Sequence, residues 1–178
     1  MLQRTRQIVI GERRVALEPM RSCAQRMIAG GAPLEEILTL LAMTSEEGYY
    51  GRAAASILLL DDEGRLRNGA SPHLPAEYLS AIDGLKPDPQ VGACPAAAAT
   101  GEIFIALNLH DDRWTGLGAR SLTLRFAAAW SVPIKSTAGA VVGTFGNYLH
   151  ERRRPTTEEF KLVVFLAAIA AAAIMARS

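Results

Sequence analysis

The stretch at 92–97 has the greatest chemical potential in this chain. Gly92 permits a tight turn and Pro95 suits the first turn of a helix. The opening of that helix leaves the N–H groups of Ala93, Cys94, Ala96 and Ala97 without helical partners, while Pro95 has none to give. Such a start favours a carboxylate, nitrate, phosphate or similar anion through its donors and its dipole. Cys94 stands where a thiol pKa is lowered. The second cysteine, Cys23, falls in a different helix and offers no resolving partner, so packing is the expected role of Cys94.

His73, His110 and His150 occupy separate loop-like or strand-end contexts with no shared motif, and the expected role of each is a solvated surface residue. His110-Asp111-Asp112 brings three donors together, but adjacent residues rarely converge on one ion, so a turn is expected there. Arg152-Arg153-Arg154 before Pro155 reads as a solvated loop. No catalytic residue, metal ligand or cofactor is assigned.

Composition narrows the partners. Among 178 residues, 49% hydrophobic and 21% charged fit an ordinary globular chain of one domain rather than disorder. Lys and Arg total 19 against 18 Asp and Glu, so no global positive field points to nucleic acid. Two distant cysteines give no disulfide framework or zinc spacing, and a reduced, cytoplasmic setting is expected. The run Ile8-Val9-Ile10 is too short for a signal-peptide core. The apolar stretch at 162–176 is too short, and too rich in alanine, for a membrane span.

The elements that must position these residues follow from periodicity and punctuation. Residues 1–17 show no clear period and read as an arm or linker; Met20, Cys23, Met27 and Ile28 mark a connector helix over 18–29 that Gly30-Gly31 ends. Pro33 opens a second helix with Leu34, Ile37, Leu38 and Leu41 on one face, ending before Gly48. The runs 53–60 and 65–70 flank Asp61-Asp62-Glu63-Gly64 as a β-hairpin. Short helices follow from Pro75 to about Ile82 and over 94–100, then a strand at 103–105. Residues 108–118 are irregular, 119–126 fit a helix, and 128–134 with 140–148 form a second hairpin. Thr156 and Glu159 spell a capping box before a long apolar helix to Ala176. Hairpin-joined strands among helices imply an α+β fold: a central antiparallel sheet of five or six strands with helices on both sides. The last helix is apolar too far around for a monomer's exterior, and its alanines permit close helix approach, so a homodimer through the terminal helices is expected. The alternative is complete burial against its own sheet.

In this order, 56–64, Val91-Gly92-Ala93-Cys94, Gly101-Glu102, Asp112-Arg113-Trp114, 129–134 and Val141-Val142-Gly143-Thr144-Phe145 resemble a GAF domain, a small-molecule sensory module of bacterial signalling proteins. The resemblance divides the chain into an arm with connector helix at 1–33 and a GAF domain at 34–178. Pro95 stands where such domains often have glycine, and Asn108 where they often have aspartate. The resemblance implies a PAS-like sheet with a ligand cavity on one face and packed terminal helices on the other. It sets Gly92, Ala93, Cys94, Ala96 and Ala97 at the cavity wall, with Ser131 as a further ligand contact, 108–118 as lid, and Trp130 and Trp114 as candidate ligand contacts that fit the core equally well. It implies a non-enzymatic sensor of a small molecule or anion, nitrate being the most concrete example, that signals to a sensor histidine kinase or other signalling protein. The alternatives are a methionine sulfoxide reductase, for which two cysteines are too few, and a ligand-free dimerisation domain. The Asp-Ile-Pro and Cys-His motifs of tetrapyrrole-binding relatives are missing.

Overall fold

The computed structural model describes residues 7–10, 13–111 and 125–177. The chain opens with a two-stranded antiparallel ribbon, β1 (Gln7–Ile10) and β2 (Arg13–Ala16), in the stretch that periodicity leaves as an arm. Helices α1 (Leu17–Ala29) and α2 (Leu34–Gly48) follow, then hairpin strands β3 (Ala53–Leu60) and β4 (Leu66–Ala70). Next come α3 (Ala76–Ile82), α4 (Ala93–Thr100), β5 (Phe104–Ala106), the hairpin β6 (Ala128–Lys135) and β7 (Val141–Leu149), and α5 (Thr157–Met175). The five strands from β3 on form one antiparallel sheet in the order β4-β3-β7-β6-β5. The α+β expectation and its hairpins hold. The helix expected at 119–126 lies mostly outside the described residues.

Strand alternation divides the core in two. On one face Ala55, Ile57, Trp130, Val132, Phe145 and Leu149 meet α2 and α5 around Ile37, Leu41, Leu162 and Leu166. On the other, Ala54, Leu58, Ala129 and Tyr148 meet α3 and α4 through Tyr78, Ile82 and Cys94. The capping box at the start of α5 is present. Glu159 N–H donates to Thr156 Oγ1 at 3.2 Å, and Thr156 N–H donates to the Glu159 carboxylate at 2.7 Å.

That carboxylate is buried and also accepts two hydrogen bonds from Arg153, at 2.7 and 2.8 Å. Arg153 is therefore an anchor for α5, not a solvated loop residue; Arg152 and Arg154 remain exposed. At the far end of α4, Gly101 adopts φ +67°, the left-handed turn that glycine accepts without steric cost, and its N–H closes onto the Ala97 carbonyl at 3.0 Å.

Candidate functional site

α4 carries 92–97 to the expected face of the sheet and packs them directly on β6 and β7. Ala93, Cys94, Ala96 and Ala97 are all buried. A Cβ built on Gly146 would collide with Cys94 Sγ, so the thiol sits in the notch that this glycine leaves in β7. Cys94 Sγ lies 3.6 Å from Tyr148 Oη, which in turn lies 2.9 Å from Tyr78 Oη. Ser131, the strand neighbour of Gly146, is buried and donates to the Phe145 carbonyl at 3.3 Å. Six of the expected residues are thus brought together, but as a packed interface. Ala96 N–H, expected to face a ligand, instead donates to the Gly92 carbonyl at 2.9 Å.

The thiol chemistry is also reversed. Burial pushes the Cys94 thiol up, against the lowering from hydrogen bonds with Ser131, Tyr148 and Thr144. The same desolvation raises Tyr78 and Tyr148. Desolvation therefore overrides the helix start, and Cys94 is held as a thiol. Cys23 is half-buried on α1, whose Leu17 and Ala24 join the core on the other side of the sheet, and both cysteines are free.

Trp130 is not a neighbour of this interface. Adjacent residues of a strand point to opposite faces, so Ser131 meets α4 while Trp130 is fully buried under α5 and stacks on Phe160 at 6.0 Å. Of the two roles open to Trp130, ligand contact and core, the structure gives it the core one. Trp114 and most of the lid at 108–118 lie outside the described residues. Within the His110 turn, the backbone N–H of His110 donates to Asn108 Oδ1 at 3.1 Å, the turn geometry expected. Among the described residues, no group of three or more His, Cys, Asp and Glu is placed to hold a metal ion.

An open pocket of about 370 Å³ lies elsewhere, at the end of the sheet. The starts of β3 and β6 and the ends of β4 and β7 meet there. Its walls come from the last two turns of α2 (Met43, Glu46, Glu47), the following Tyr50-Gly51 and the start of β3, His73 after β4, Arg125-Phe126 before β6 and His150 after β7. Glu46 is buried, with one carboxylate oxygen accepting from Ala55 N–H at 2.8 Å and the other 2.5 Å from His73 Nδ1. His150 stacks on Phe126 with centroids 4.9 Å apart and places Nδ1 2.5 Å from the Arg125 carbonyl. The Arg125 guanidinium lies over the same phenyl ring, 5.6 Å from its centroid. Tyr50, half exposed on the rim, adopts φ +54°, a strained backbone for a residue with a side chain.

Two of the three histidines read as solvated surface residues therefore share one pocket. The signal that finds them is positional. His73, Arg125 and His150 each lie within three residues of a strand end, and hairpin pairing places all of those ends on one side of the sheet.

The arrangement defines an α+β module with a closed interface under α4 and, at one end of its sheet, an open pocket whose lining includes Glu46, His73, Arg125 and His150. Comparison with known proteins agrees on the fold. The model of the GAF domain family matches residues 31–175, and the chain belongs to that family. It is 36% identical over 148 residues to a methyl sulfide methyltransferase-associated sensor of Methanosarcina acetivorans. That match covers 80% of this chain but 15% of the relative, so the chain spans a small part of that protein's length. Among solved structures, the GAF domain of a phosphoenolpyruvate-protein phosphotransferase from Coxiella burnetii superposes with a TM-score of 0.68 at 19% identity, covering 89% of this chain and 92% of that one. Free methionine-R-sulfoxide reductase from Neisseria meningitidis, in complex with its substrate, superposes with a TM-score of 0.67 at 14% identity, covering 90% and 89%. At these identities the likeness is one of fold.

Proposed function

We propose that this chain is a non-enzymatic sensory module that binds a small ligand in the sheet-end pocket and passes the bound state to a signalling partner, a sensor histidine kinase or another component of a two-component system. The carrying observation is that four separate segments, 43–54, His73, Arg125-Phe126 and His150, converge on one open pocket with a buried carboxylate, two imidazoles and a guanidinium. Family membership and the sensor among its relatives support the reading. The α4 N-terminus, the first expectation for an anion such as nitrate, is packed closed, which moves the proposed site to the sheet end. A reductase of the methionine sulfoxide type is disfavoured because Cys94 is buried as a thiol and Cys23 lies across the sheet. The two free thiols fit a cytoplasmic location, which is part of the proposal; no described helix is long and apolar enough to cross a membrane.

The proposed output surface is α5. Lys161, Val164, Ala168, Ala171 and Met175 recur at alternating spacings of three and four residues, and all but the half-buried Ala171 are exposed. A groove of about 350 Å³ between α5 and the β6 edge continues this stripe past Val132 and Ile103. A second copy of the chain covering it forms the homodimer.

Thermal unfolding against small anions and metabolites, nitrate included, tests the sensor reading. A ligand bound only to the folded state at 100 times its Kd adds about 2.7 kcal/mol of stability. The expected result is a dose-dependent rise in Tm with at least one compound, lost in Met43→Trp, which fills the pocket from an exposed wall position. No rise across the panel contradicts the reading and leaves a structural dimerisation domain.

A further inference from the structure

We infer that Tyr49, Trp130 and Asn147 hold one water molecule in the core between the sheet and helices α2 and α5, where it joins the end of α2 to strands β6 and β7. All three residues are buried, and Tyr49 Oη, Trp130 Nε1 and Asn147 Nδ2 make no hydrogen bond with a described residue. A buried polar atom left without a partner costs more than a made hydrogen bond returns, so three in one place point to a bound group.

The fold brings them together. Trp130 and Asn147 are direct partners across β6 and β7, and strand alternation turns both toward the face that Phe145 and Leu149 share with α2 and α5. Ser45 on α2 donates to Asn147 Oδ1 at 2.7 Å, which fixes the amide with its NH₂ as the end left over. Tyr49 closes α2 one turn after Ser45. Its ring lies 6.0 Å from the Arg153 guanidinium, beside the start of α5, and the Trp130 ring stacks on Phe160 of the same helix turn. Burial, then the Glu159 carboxylate, push the Tyr49 phenol up against lowering from the Trp130 indole N–H and Arg153, so the phenol keeps its proton.

The chemistry of the donors selects the occupant. Trp130 only donates, the Asn147 amide end only donates, and Tyr49 Oη is the single acceptor among the three atoms. Pairing Trp130 directly with Tyr49 would leave the Asn147 NH₂ unmet. The Glu159 carboxylate is engaged by Arg153 and by Thr156 N–H. The site therefore needs an added acceptor that can also donate. Water accepts from Trp130 N–H and Asn147 N–H and donates to Tyr49 Oη, which gives it the partners a buried water keeps. A halide would supply only acceptance and would bring an unpaired charge into the core.

A crystal structure of the chain grown with bromide, at about 1.5 Å resolution, tests this through one density peak within about 3.2 Å of Tyr49 Oη, Trp130 Nε1 and Asn147 Nδ2. The expected peak has no bromide anomalous signal. In solution the Trp130 indole N–H is expected to show a cross-peak to a long-lived water, lost or weakened in Tyr49→Phe. That variant is expected to keep the circular dichroism spectrum and to lower the folding equilibrium constant in urea about fivefold. No peak, a peak with anomalous signal, or Trp130 Nε1 bonded directly to Tyr49 Oη overturns the inference. A missing water cross-peak, or unchanged stability in Tyr49→Phe, overturns it likewise.

Discussion

Gly146→Ala is expected to destabilise the chain by roughly 2–3 kcal/mol, the cost of forcing an extra methyl into a filled core. The Cβ it introduces meets Cys94 Sγ, a short buried side chain that cannot swing aside. Replacing the thiol makes the space, so Cys94→Ala in the same chain is expected to recover more than half of the loss. The two residues are in direct contact, and a double-mutant cycle in urea measures their coupling. Additive losses would contradict the packed interface under α4, because the two positions would then be independent.

Ala168→Glu is expected to leave the fold intact and to weaken the proposed homodimer roughly 100-fold, about 2.7 kcal/mol. Ala168 is exposed on α5 at the centre of the stripe from Lys161 to Met175, so the monomer tolerates the charge. In a dimer that buries the stripe, two carboxylates lose water without gaining a partner. Sedimentation equilibrium measures the change, with circular dichroism as the control for folding. A chain that is monomeric before the substitution, or a dimer unmoved by it, contradicts the assignment of α5 as the output surface.

Much of the fold was legible because its signals are local. Asp61-Asp62-Glu63-Gly64 between apolar runs marks the β3–β4 hairpin, and Thr156 with Glu159 marks the start of α5. The candidate site was less legible because its decisive facts are non-local. Trp130 and Ser131 are neighbours in sequence, but the two-residue period of a strand sends them to opposite faces, and only the partners of each face separate core from ligand wall. The depth of Cys94 depends on Gly146, 52 positions away, whose missing side chain lets α4 settle onto β7. Arg153 looked like one of three equivalent arginines, and only the buried Glu159 carboxylate distinguishes it. His73 and His150 meet through sheet register, which hairpin order implies but spacing along the chain does not show.

The central claim is that ligand enters at the sheet end and not beneath α4. A chemical-shift map of the isotope-labelled chain, titrated in turn with nitrate and with the compound that raises its Tm most, tests it most directly. The account predicts that the largest shifts cluster at Glu46, Tyr50, His73, Phe126 and His150, with 92–97 left in place. Largest shifts at Gly92, Ala93 and Cys94, or no saturable shift with either compound, would contradict it.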